Sequence, residues 1–347
     1  MARDEPAGNE RRRAGRIDAA NTGIATSLEP VSSATVPVPA ARVNDRVGGI
    51  VGIGFAVVAL SAGSTMVRST GSPGAVVAFW RLLVGALLWQ SILLVTRQRF
   101  TIDALKKSAP AGLFFGLNLT LFFTGVTKTR IANAEFIGTL APLLVVPFAA
   151  WRLGERVKPA VIAAGGAALT GVALILFLAD RDVVGSHSWV GDAACVGAVV
   201  MWSSYLFATK SVRQALGVGP FMAGMSAVAA VVVLPFAVST GKLGDVSTKG
   251  WVLITVMCVT SGLVSHGLIA WAQRAVPVST ISLMQLAQPG FAVVWAWVFL
   301  HEHVNMAQLA GMVVVVAAVG AIARMSASSP PPSVGPDTVS LAVHVPS

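Results

Sequence analysis

Charge is scarce in this 347-residue sequence: 12% of its residues are Asp, Glu, Lys or Arg, against about 25% in an ordinary soluble domain. A surface with so little charge does not stay in water, and with 55% of the residues hydrophobic most of the chain must face lipid. Cysteine is equally sparse. Cys195 and Cys258 both fall inside apolar segments, which excludes a disulfide framework or a cysteine metal cluster and leaves two small packing residues. No glycine-rich phosphate loop occurs. The nearest approach, Gly217-Val218-Gly219-Pro220, has neither the lysine nor the spacing and reads as a turn. No cofactor is therefore expected, and any transport is secondary rather than ATP-driven. Histidine is scattered over positions 187, 266, 301, 303 and 344, with only His266 in the middle of an apolar run, so a catalytic set at one depth is missing. His301-Glu302-His303 is not H-E-x-x-H, and adjacent residues do not share a helix face, so no metal is expected there. The net charge of +10 does not point to nucleic acid, because the basic residues lie in the N-terminal tail and in short connections. No secretory signal is expected either, since the first 46 residues are polar and lack a cleavable apolar core.

What is present is a series of ten apolar runs, at 48–67, 74–95, 111–127, 131–150, 159–178, 189–209, 219–238, 250–273, 278–300 and 307–323. Each approaches the ~20 residues that a spanning helix needs. A backbone in lipid must satisfy its own hydrogen bonds, and the alternating strands of a barrel are absent, so the runs predict an all-α integral membrane protein of ten transmembrane helices. Residues 1–46, with Arg11-Arg12-Arg13, and residues 325–347, with Pro330-Pro331-Pro332, are expected to be disordered tails.

The runs fall into two copies. Thr139 to Lys158 is echoed by Leu286 to Val304. Pro142 and Glu155 are 13 residues apart, as are Pro289 and Glu302, and the copies are offset by 147 residues. This predicts a first repeat over 47–178 and a second over 189–324. Five helices is an odd number, so the second copy enters the bilayer from the opposite side, giving two inverted five-helix repeats. With both termini in the cytoplasm, 18 Lys and Arg lie inside and six outside, which favours that orientation in the inner (plasma) membrane.

Phe79-Trp80-Arg81-Leu82 in the second run, the Pro142 to Gly154-Glu155-Arg156 stretch followed by Gly165-Gly166 and Gly171, and the sixth run with Trp202 and Tyr205 together resemble the ten-helix drug/metabolite transporter superfamily in its EamA-type branch. The resemblance covers residues 48–323. The second copy departs from the first at His301 and His303, and it has no arginine matching Arg81. The resemblance implies a secondary transporter, an exporter of a small organic metabolite, amino-acid-like or drug-like, with proton coupling possible. Its partners are then the solute and the bilayer, and nothing in the residues sets the oligomeric state. The alternatives are a membrane-embedded enzyme or a non-transporting membrane scaffold, neither of which requires the repeat.

Two ionisable residues lie within apolar runs. Arg81 is seven residues into the second and Glu135 about one turn into the fourth. A charge at such depth is expensive and faces a cavity or a partner. The pair reads either as a solute or proton site or as a buried ion pair that fixes packing. Asn118, His266, Gln285 and Gln288 are further polar candidates for a cavity lining, and otherwise hydrogen-bond between helices. Trp80, Trp202 and Tyr205 are candidates for stacking on an organic solute, and otherwise belong to the interfacial belt. Pro142 and Pro289 weaken their helices and are candidate hinges, or else static kinks.

Overall fold

A computed structural model of the protein describes residues 43–129, 131–177, 188–300 and 306–328, and the elements there are all helical. In chain order they are α1 (Val43–Leu60), α2 (Gly63–Ser69), α3 (Gly74–Val95), α4 (Ile102–Lys128), α5 (Ile131–Gly138), α6 (Ala141–Leu153), α7 (Pro159–Phe177), α8 (Trp189–Arg213), α9 (Val218–Ser239) and α10 (Thr248–Met257). A π-helical segment, Cys258–Ser265, leads into α11 (His266–Ala272). Then come α12 (Val278–Met284), a 3₁₀ turn at Gln285–Ala287, α13 (Gln288–Leu300) and α14 (Met306–Ala327). Among the described residues, eight helical stretches are long and apolar enough to cross a membrane: Asn44–Ser69, Gly74–Val95, Ile102–Lys128, Asn133–Leu153, Trp189–Arg213, Val218–Ser239, Thr248–Ala272 and Met306–Ala327. A shorter apolar helix covers Pro159–Leu174. His301-Glu302-His303, at the end of the second repeat's echo, and residues 178–187 lie outside the described residues.

The helices close on one another through small residues. α4 is the hub, packing along α8 and α9, while α9 also packs along α3. Gly112 and Gly116 lie one turn apart on α4, and a Cβ added to them would stand 2.7 Å from the Met225 carbonyl oxygen and 2.9 Å from that of Ala229. Without side chains at these positions the two backbones approach closely, which is how helices associate when lipid is as apolar as their own surfaces. Tyr205, Phe221, Met222, Met225, Ile254 and Ile281 are fully enclosed by this packing. Phe55, Leu94, Trp189 and Val313 stay exposed, as lipid-facing positions can. α7 and α14 form a separate seam in which Gly171 meets the Gly311 carbonyl.

Two features depart from the hydropathy reading. α4 begins at Ile102, nine residues before its apolar run, because Thr101 caps it by accepting the Ala104 N–H at 3.1 Å and Asp103 pairs with Lys107 at 2.8 Å. That polar first turn is invisible to a hydrophobicity window. The second feature is that four spans are broken: at Ser61–Ala62, at Thr139–Leu140, through the π segment and at the 3₁₀ turn. At the second break the Thr139 N–H is shared between the Glu135 and Phe136 carbonyls, both at 3.0 Å, and the Leu140 N–H turns to that of Ile137 at 3.0 Å, three residues back instead of four. Thr139 and Leu286 of the 3₁₀ turn are 147 residues apart, the offset of the sequence repeat. Pro142 and Pro289 follow as the second residues of α6 and α13. Each was expected to free a carbonyl inside a continuous helix; instead each starts a new helix, where a missing N–H leaves no bond unmade.

Candidate functional site

The breaks surround a central cavity of about 140 Å³, large against the ~10–15 Å³ that one water needs. Its wall comes from nearly every span: Leu60, Gly63 and Ser64; Arg81; Asn118, Leu119, Phe122 and Phe123; Glu135, Gly138, Thr139, Ala141 and Pro142; Ala198, Val199 and Trp202; Ser261 and His266; and Ser282, Gln285, Leu286 and Gln288. The 147-residue offset makes five pairs of positions on this wall: Leu119 with His266, Glu135 with Ser282, Gly138 with Gln285, Thr139 with Leu286, and Ala141 with Gln288. A single cavity is thus lined by matching positions from both copies.

Arg81 is 4% exposed and reaches the wall from α3. Its Nη2 donates to the Ser261 hydroxyl at 2.8 Å, its guanidinium lies 5.5 Å from the centre of the Phe123 ring, and its Nε has no hydrogen-bond partner among the described residues. Ser261 is available to it because the π segment rolls the helix surface by an extra residue per turn; such segments recur at functional sites. His266, just beyond, is 3% exposed, sits edge-on to Phe115 at 4.6 Å, and has an unpartnered Nδ1. Glu135 reaches the wall from α5, with the Ser64 hydroxyl facing it. Between Glu135 and Arg81 there is no ion pair.

The remaining polar groups hold the wall in shape. Asn118 donates from Nδ2 to the Ala198 carbonyl at 2.8 Å, joining α4 to α8. Trp202 donates from Nε1 to Gln285 Oε1 at 3.1 Å, joining α8 to the 3₁₀ turn. Gln288 also lines the cavity.

Three candidates do not line it. Trp80 turns away, donating to the Leu243 carbonyl at 2.9 Å and packing edge-on against Trp251 at 4.9 Å. Adjacent helical residues point about 100° apart, and here that rotation carries Trp80 to the Leu243 connection while Arg81 faces the cavity. Tyr205 is fully buried behind the wall, 5.1 Å from Trp202 and 5.0 Å from Phe115. Pro289, next to the lining Gln288, is buried and is not among the wall residues. Sequence reasoning missed Ser64, Ser261 and Ser282. Ser282 was open to detection as the counterpart of Glu135 across the repeat, whereas nothing in CVTSGLVS announces the π turn that exposes Ser261.

Known proteins resemble this chain. The EamA-like transporter family matches it twice, over residues 46–177 and 189–324. Over 209 residues it is 25% identical to a WAT1-related chloroplastic protein of Arabidopsis thaliana, covering 56% of this chain and 49% of that protein. Over 132 residues it is 31% identical to a protein of Streptantibioticus cattleyicolor named "probable terminal-alkyne amino-acid exporter", covering 38% of this chain and 43% of that protein. The matched stretches therefore span less than half of either relative's own length. A solved crystal structure of a protein superposes with a TM-score of 0.65 at 20% identity, over 81% of this chain and 98% of that one, a likeness of fold.

Proposed function

We propose that this chain, which belongs to the EamA-like transporter family, exports a small organic metabolite across the inner (plasma) membrane by alternating access through the central cavity. It is a multi-pass membrane protein and a transporter rather than an enzyme. In this reading ten transmembrane helices form two inverted repeats, 47–178 and 189–324, with both termini in the cytoplasm. The broken helices let one half rock against the other around a fixed site. Pro142 and Pro289 mark the points that bend. Arg81, Glu135, Asn118, Trp202, His266, Gln285 and Gln288 contact the solute or hold the groups that do, and a proton or solute gradient drives the movement.

The observation that carries the proposal is the five pairs of wall positions related by the 147-residue offset, because a site shared by two copies is what alternating access between them requires. The outward direction rests on the name of one relative, an exporter. The test is flux. Proteoliposomes holding the purified protein and loaded with a bacterial metabolite extract are expected to lose at least one small organic solute faster than protein-free vesicles. Ser282→Trp, which fills the cavity, is expected to stop that loss. A folded protein that moves nothing in either direction is a membrane scaffold instead.

A further inference from the structure

A second hollow lies away from the central cavity, on the lipid side of the protein. It is a groove of about 410 Å³ between α1 and α14, walled by Gly54, Phe55 and Val58, by Val316 and Gly320, and by Phe291 of α13. Its lining is apolar throughout. Its long walls belong to two of the membrane spans, Asn44–Ser69 and Met306–Ala327. Gly54 and Gly320 keep it open, since a Cβ added to either meets nothing within 4 Å. Water does not fill such a space: an apolar hollow of about 150 Å³ stays dry and takes up hydrocarbon. The floor is Met284 and Ala287, on one side of the 3₁₀ turn. The other side of that turn, with Gln285, Leu286 and Gln288, lines the central cavity.

One end of the groove carries a positive charge. Arg324 is exposed and follows Gly320 by four residues, so it shares that helix face about 6 Å further along α14. The start of α1 is at the same end. Thr280 meets Ser326 of α14 at 3.2 Å, Glu155 accepts the Val278 N–H at 2.9 Å, and Arg46 of α1 lies in the field of Glu155. Followed from Val51 toward that end, the groove face of α1 continues through Val47 and Asn44. Asp45 is turned about 100° from Asn44, off this face. Glu155 is taken up by the amides of α12. The mouth therefore offers a guanidinium and an amide, and neither helix face brings a carboxylate to it. We infer that the groove binds an anionic phospholipid such as phosphatidylglycerol, with its phosphate on Arg324 and one acyl chain lying between α1 and α14. Basic sites between membrane helices select anionic headgroups, and a guanidinium fork fits phosphate. The acyl chain rests on the back of the 3₁₀ turn, so the lipid braces the break that shapes the central cavity. This site is separate from that cavity and independent of the solute that the protein moves.

The test uses the whole protein in phosphatidylcholine vesicles that contain a trace of phosphatidylglycerol with a photoreactive diazirine on one acyl chain. After irradiation, mass spectrometry maps the labelled residues. Label is expected to concentrate on residues 51–58 and 316–320, in excess of lipid-facing positions far from the groove such as Leu94 and Val231. Unlabelled phosphatidylglycerol is expected to displace the excess, and phosphatidylcholine to need about fivefold more, the preference that one arginine gives at an anionic surface. Arg324→Gln is expected to remove that preference and leave the label where it was. Gly320→Leu, which puts a side chain into the open groove, is expected to abolish the excess at an unchanged melting temperature. Should it fail to fold, Gly54→Leu fills the groove from the opposite wall. Label spread evenly over Leu94, Val231 and the groove means ordinary bilayer contact and overturns the inference. So does equal displacement by phosphatidylcholine, because Arg324 then selects nothing. Cross-links between two protein chains through a cysteine at Gly320, in place of lipid label, mean that a second copy covers the groove and overturn it as well.

Discussion

Glu155 and Ser279, far apart in sequence, are joined twice: the carboxylate accepts the Ser279 hydroxyl at 2.6 Å and its backbone N–H at 3.1 Å. The Val278 N–H adds a third bond at 2.9 Å. A carboxylate at the start of α12 satisfies amides that the helix leaves unbonded and sits at the positive end of its dipole. Arg46 and Lys210 lie in the field of the same carboxylate, and Lys210 donates to the Gln273 and Val276 carbonyls at 2.7 and 3.1 Å. This one carboxylate ties the end of α6 in the first copy to the beginning of α12 in the second.

Removing that tie has a direct cost. Glu155→Ala is expected to destabilise the protein by about 1.5–3 kcal/mol, the range for hydrogen bonds to a charged group. Glu155→Gln, which keeps one acceptor oxygen, is expected to lose less. Thermal unfolding in detergent checks both. If the tie also closes one end of the cavity, a cysteine placed at Gln285 will react faster with a thiol reagent in the Glu155→Ala background; an unchanged rate leaves the tie purely structural.

Arg81 and Glu135 share the cavity without an ion pair. The stability changes of Arg81→Gln and Glu135→Gln are therefore expected to add in the double variant to within about 0.3–0.5 kcal/mol. Recovery of stability in the double variant would mean that the two residues form the buried pair considered from the sequence.

The close approach of α4 to α9 sets a third expectation. Gly116→Val puts side-chain atoms where the Ala229 backbone stands, and Gly112→Ala meets the Met225 carbonyl. Each is expected to cost about 1–3 kcal/mol, as overpacking does. Gly85→Ala, with nothing within 4 Å of the added carbon, is the control and is expected to unfold at the parent temperature.

Orientation is open to labelling. Cys195 and Cys258 are buried, so new cysteines at the exposed Gly244 and Ser328 report alone. A membrane-impermeant thiol reagent added to intact cells is expected to modify Gly244→Cys and to spare Ser328→Cys. The reverse pattern inverts the topology.

How far the sequence reveals this fold depends on the kind of signal. Apolar runs and the 147-residue echo are set by averages over many residues, and they locate the spans and the paired wall positions. The facing of one residue is set by rotation. Trp80 and Arg81 are neighbours in sequence, yet one anchors the Leu243 connection and the other faces the cavity. Helix type is subtler still. The π segment over Cys258–Ser265 packs against α1 and α3, and no residue preference in it announces the extra residue per turn, so Ser261 was not foreseeable as the partner of Arg81. Prolines were legible as landmarks, but whether Pro142 kinks a helix or begins one depends on the two residues before it, where the bonding changes register.

The breaks at Thr139–Leu140 and Gln285–Ala287 also govern how fast deuterium enters. Buried membrane helices shield their amides from solvent for long periods, because exchange requires local opening. Here short turns bonded three residues back lie beside a polar cavity, and their hydrogen-bond geometry is the poorer kind. Mass spectrometry of the intact protein in deuterated buffer is expected to find early uptake around residues 139–143 and 285–288, while the adjoining turns of α6 and α13 stay protected. The isotope would then enter this protein at its middle before it reaches the helices on either side.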